Sequence, residues 1–160
     1  IVTHPDGKGV AAELLAERIA KLRADGITVL LADLRYSGEL DRGARWRDLH
    51  GRFYGLDEGQ LSVRDLRVLL DFAATQGLGR VAVLAHGWTG ASALLAAALD
   101  PRIAVLVAPE LGASWASGPR RPRLARVLLH ADLPDAAYAS RASRLLLGTA
   151  PDEDTPVGSV

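Results

Sequence analysis

Apolar positions in this chain fall into unbroken runs and into stripes spaced three and four residues apart, the patterns of buried strands and amphipathic helices. The runs are Ile1–Thr3, Ile27–Ala32, Val81–Ala85, Ile103–Ala108 and Leu145–Leu147. The unbroken β-branched and leucine run Ile27–Ala32 suits a parallel strand covered on both faces. Val10, Leu14, Leu15, Ile19 and Leu22 predict a helix over Val10–Asp25, closed by Gly26 just past its C-cap. Val63, Leu66, Leu69, Leu70 and Ala73 predict a second, with Ser62 as N-cap, Asp65 three residues on, and Gly77 and Gly79 at its end. A helix rich in Ala and Leu follows the sharp turn His86–Gly90, and Arg123–His130 predicts a short one with Pro122 in its first turn.

Strands alternating with helices predict an α/β fold: a three-layer α/β/α sandwich on a mostly parallel sheet with right-handed crossovers. Five strands in the order 2-1-3-4-5 put Val81–Ala85 at the centre. The long irregular stretch Asp33–Leu61 holds Arg35, Arg42, Arg45, Arg47 and Arg52 near Trp46, Phe53 and Tyr54. Loops of that length in compact domains are usually functional or disordered. Glu110–Pro122 reads as a Gly/Pro/Ser loop carrying Trp115, and Thr149–Val160 as a polar tail.

Composition narrows the classes of function. At 160 residues the chain makes one domain, and 49% hydrophobic against 24% charged residues is an ordinary globular balance. Formal charge is zero, so no whole-protein field recruits nucleic acid or anionic lipid. The basic stretch Pro119–Arg126 is short and proline-broken, as in a solvated loop. Without cysteine there is neither a disulfide nor a thiolate metal site, and the compartment stays open. Asp100 and Arg102 interrupt the longest apolar candidate for a membrane span, and no signal peptide is seen in this stretch, so a soluble protein is expected. A chain that opens on Ile1 and contains no methionine reads as a segment of a longer polypeptide or as a processed product.

A strand that turns abruptly into a helix is the setting of the G-x-S-x-G nucleophile elbow. Here those five positions are Ala85-His86-Gly87-Trp88-Thr89, followed by Gly90. Other segments fall into line with it. Asp33-Leu34-Arg35-Tyr36-Ser37-Gly38-Glu39 resembles a D-x-R-G-x-G-E segment, and Asp65-Leu66-Arg67 with Leu70-Asp71-Phe72 a D-L-x-x-x-L-D-[FY] helix. Asp100-Pro101-Arg102-Ile103 resembles D-P-R-I. Asp132-Leu133-Pro134-Asp135 resembles D-L-P-D, and Ala142–Gly148 resembles A-P-R-P-L-L-L-x-G. In this order the set resembles the α/β hydrolases, most closely bacterial acetyl-xylan-esterase-like members.

That resemblance implies a carboxylic-ester hydrolase on a truncated α/β-hydrolase core, whose sheet would continue beyond both ends of the chain. It also implies where the chemistry fails. The nucleophile position is Gly87, which supplies no oxygen, and Thr89 replaces a small glycine. Asp152 resembles the family's acid in D-x-x-V-P, yet no histidine follows it, since His4, His50, His86 and His130 all precede it. A catalytically silent member is therefore expected. Trp88 N–H remains as an oxyanion donor, a second is expected from the loop His4–Gly9, and His4, Asp6, Gly7, Trp88 and His86 line the cleft. His86 is expected to make a structural hydrogen bond rather than act as a base, and Asp33 and Arg35 to pin the loop after their strand. Thr89 is expected to hinder the closest approach of strand and helix.

No cofactor and no metal site is expected, and neither a nucleic acid nor a membrane partner. The expected partners are a small acylated or carbohydrate ligand in the residual cleft and, at the open sheet edges, the remaining parts of the parent chain or another subunit. Two alternatives stay open. One is an active esterase completed by parts outside the segment. The other is a small anion- or nucleotide-binding doubly wound domain using Gly87-Trp88-Thr89-Gly90 before a helix N-terminus, though neither G-x-G-x-x-G nor a P-loop lysine is present.

Overall fold

In the computed structural model, residues 1–41, 58–109 and 144–147 are described. Strand β1 (Val2–Thr3) is followed by helices α1 (Lys8–Leu14) and α2 (Ala16–Ala24), and a 3-10 turn occupies Gly38–Leu40. Helix α3 (Glu58–Thr75) leads to β2 (Val81–Ala85), helix α4 (Trp88–Leu99) and β3 (Ile103–Ala108), with β4 at Arg144–Leu147. The four strands pair in parallel in the order β1-β2-β3-β4.

β2 divides the core. Val81, Val83 and Ala85 pack in one cluster with Leu66, Leu70 and Ala73 of α3 and Ala91, Leu94 and Ala97 of α4. Leu84 packs in another with Val2, Ala11, Leu15, Ile19, Val29 and Leu31. Successive strand residues face opposite sides of a sheet, so apolar cover lies on both faces of β2.

Three expectations are corrected. The run Ile27–Ala32 does not form a strand; it touches the sheet through one parallel bridge, Leu31 to Val2, with Val2 N–H donating to Leu30 O (2.9 Å). β1 is only two residues long and runs into His4-Pro5, so it offers little ladder to extend. The helix expected over Val10–Asp25 starts at Lys8 and breaks at Leu15, which has φ −111° and ψ 14°. Leu15 packs with Val2 and Ala11, and beyond it α2 fully buries none of its residues, with the partly buried Ile19 packed against the same cluster. Ser62 is not an N-cap. It lies fully buried inside α3, because burial extends upstream through Gly59 and Leu61.

The Asp100-Pro101-Arg102 turn is a structural tie between α4 and β3. Arg102 donates to Asp100 Oδ1 from Nε (2.9 Å) and to Asp100 Oδ2 from Nη2 (2.6 Å), while Nη1 reaches Asp71 of α3 (2.7 Å). Asp100 is 5% exposed. The Arg102 guanidinium, by its hydrogen bonds first, holds the Asp100 carboxyl below the usual carboxylate range. No described helix is long and apolar enough to cross a membrane.

Candidate functional site

The turn between β2 and α4 is built from opposed requirements. β2 ends at Ala85, fully buried, and α4 starts three residues later at Trp88, 6% exposed, so the reversal must be tight. Gly87 makes it with φ 51° and ψ −135°. These angles lie near the first central residue of a type II′ turn, a region where a side chain costs about 1–3 kcal/mol. Short bonds close the turn: Thr89 N–H donates to His86 O (3.1 Å) and Gly90 N–H to Gly87 O (3.1 Å). His86 N–H donates to Thr3 O (3.1 Å), which carries the β1–β2 ladder into the turn. Trp88 N–H, at the start of α4, has no acceptor among the described residues.

Thr89 is fully buried and does not hold the elements apart. Its Oγ1 donates to His86 O (2.7 Å) and accepts from Thr3 Oγ1 (3.0 Å), so the added side chain joins α4 to β1 instead of obstructing it. Ser92 is likewise fully buried within α4, with no hydrogen-bond partner for Oγ among the described residues, and offers no accessible nucleophile.

The loop after β1 lies beside this turn. The His4 and His86 rings are 5.6 Å apart between centroids, tilted by 43°. His4 Nδ1 accepts from Asp6 N–H (3.1 Å), which in the neutral ring leaves the proton on Nε2. Gly7 N–H donates to His4 O (3.0 Å) and Lys8 N–H to Asp33 Oδ1 (2.5 Å). The amides of Asp6, Gly7 and Lys8 are thus all engaged within the protein. Among the described residues, no group of three or more His, Asp or Glu is placed to hold a metal ion.

Asp33 organises the rest of the rim. Its side chain is 5% exposed, and its second oxygen accepts from Glu39 N–H (3.1 Å), joining the N-terminus of α1 to the Gly38–Leu40 turn. Arg35 meets Asp65 of α3 twice, through its backbone N–H (2.9 Å) and through Nε (2.9 Å). Between these anchors stands Tyr36, buried at 4% exposure with φ 66°, the one non-glycine residue at positive φ among those described. The resembled segment has a glycine there. That glycine was the available signal for a left-handed backbone at this position.

Residues 9–158 match the alpha/beta hydrolase family. The chain belongs to that family. Neither the comparison with curated proteins nor that with solved structures gives a match. In the elbow of an α/β hydrolase the nucleophile occupies the strained turn position and the next backbone N–H serves the oxyanion hole. In this chain the turn between β2 and α4 carries Gly87, with the Trp88 N–H directly after it. Asp152, the candidate acid, lies outside the described residues, as do His50, Ser114, Trp115 and His130.

Proposed function

We propose that this is a catalytically silent member of the carboxylic-ester branch of the α/β hydrolases, of acetyl-xylan-esterase-like descent. On this reading it keeps the elbow as a binding framework for a small acylated or carbohydrate ligand. One observation carries the proposal: Gly87 sits at φ 51° and ψ −135°, where the chemistry needs a strained serine, and supplies only hydrogen. Glycine relieves the torsional cost that an L-residue meets there, so its presence stabilises the turn while removing the acyl-enzyme route. The ties made by Asp33, Arg35 and Asp100, in segments that resemble the subgroup, support retention of the framework rather than its decay. Of the five-strand order 2-1-3-4-5 the proposal keeps only the position of Ile27–Ala32 beside β1, where Leu31 bridges Val2 in parallel without forming a strand.

A fluorophosphonate probe tests it, because the reagent labels an activated serine whatever the natural acyl group. No label is expected on the protein, and hydrolysis of p-nitrophenyl acetate should not exceed the residual enhancement of about a thousandfold to ten-thousandfold over water seen in hydrolases stripped of their triad. Stoichiometric labelling, traced by peptide mapping to any serine, would overturn the proposal.

A further inference from the structure

The bonds around the turn form a closed circuit. Thr3 O accepts from His86 N–H, His86 O accepts from Thr89 Oγ1–H, and Thr89 Oγ1 accepts from Thr3 Oγ1–H, at 3.1, 2.7 and 3.0 Å. Both threonines are 0% exposed, and they are 86 residues apart in the chain. Gly87 and Trp88 lie between His86 and Thr89, so the circuit grips the chain immediately before and after them.

The grip matters because of what it encloses. Glycine has the widest backbone freedom of any residue, and nothing in Gly87 itself selects φ 51° and ψ −135° over other conformations. A buried hydroxyl left without a partner destabilises the fold, so each threonine favours the turn geometry that satisfies both. We infer that Thr89, fastened to Thr3, is a positioning residue: its hydroxyl holds Gly87 in the elbow conformation and thereby fixes the direction of the Trp88 N–H donor. This goes beyond the functional proposal and stands whether or not the protein hydrolyses esters.

Thr89→Val removes the hydroxyl at nearly constant shape, whereas Thr89→Ser keeps it. The readouts are the Gly87 13Cα shift, which follows φ and ψ, and hydrogen exchange at the Thr89 and Gly90 amides, measured against Val83 and Leu106 in the sheet. In Thr89→Val the Gly87 shift is expected to move, and the two turn amides to exchange about tenfold faster relative to the sheet amides. Thr89→Ser should return both readouts to within about twofold of wild type, the spread expected where a hydrogen bond is retained. A general loss of stability would accelerate turn and sheet amides together, and that outcome overturns the inference. So does an unmoved Gly87 shift, or a serine variant that fails to restore it. Should Thr89→Val not fold, Thr3→Val breaks the circuit from the other end and is read by the same two measurements, with the same results counting for and against.

Discussion

Arg102→Ala is expected to lower the free energy of unfolding by about 3 kcal/mol, measured by urea denaturation. That is the low end of the range for breaking a buried ion pair, because the Arg102 side chain is itself 30% exposed. The loss comes from the partner left behind. Asp100, with 6% of its side chain exposed, would keep its charge without the two guanidinium hydrogen bonds that satisfy both oxygens, and Arg67 Nε at 4.0 Å is too far to replace them. Asp71→Ala removes only the outer contact, to a carboxylate side chain 68% exposed, and should cost less than about 1 kcal/mol.

The same pair sets an acid limit. A carboxyl whose folded pKa is depressed, as that of Asp100 is, stabilises the fold fully above its unfolded value, about 3.9, and loses that contribution as pH falls through the lower folded value. The stability gap between wild type and Arg102→Ala should therefore be constant near neutrality and narrow below about pH 4. A gap that stays constant in acid would assign the loss to the packing of the arginine stem instead of to Asp100.

Gly7→Ala is expected to cost about 3–5 kcal/mol, combining overpacking with backbone strain. A Cβ on Gly7 would stand 2.3 Å from the Gly38 Cα, and backbone cannot step aside as a side-chain end can. Gly7 also has φ 97°, which L-residues rarely adopt. Relief by moving the Gly38 segment is closed off, because Asp33 holds that turn through Glu39 N–H and lies 3.0 Å from the same Cβ position. Urea denaturation of Gly7→Ala beside Gly9→Ala separates close approach from general glycine effects, since a Cβ on Gly9 meets nothing within 4 Å. Similar midpoints for the two variants would contradict the overlap.

What could be read from the chain beforehand was whatever depends on neighbours in sequence. β2 and β3 fall at Val81–Ala85 and Ile103–Ala108 because each is a continuous apolar run ended by turn residues, and both burial and hydrogen bonding favour a strand. The tight turn at Gly87 followed from the abrupt change of period between β2 and α4. What escaped depends on distant partners. The hydroxyl of Thr89 is satisfied by a threonine 86 residues away, so propensity saw only its β-branch. The apolar run Ile27–Ala32 was favourable in itself, but ladder formation needs an equal length opposite, and β1 supplies two residues. Ser62 carried the local signature of a cap, yet it is fully buried inside a helix that runs from Glu58 to Thr75.

The two-sided core at β2 makes length, rather than composition, the quantity least open to change there. Val81, Val83 and Ala85 serve one cluster and Leu84 the other, so a single inserted or deleted residue between Arg80 and His86 would exchange the two linings wholesale. It would also rotate the reversal at Gly87, and α4 with it, toward the opposite side of the sheet, away from α3. Conservative replacements at these positions leave that phase intact, whereas a frame-preserving codon gain or loss would dismantle both clusters and the turn together.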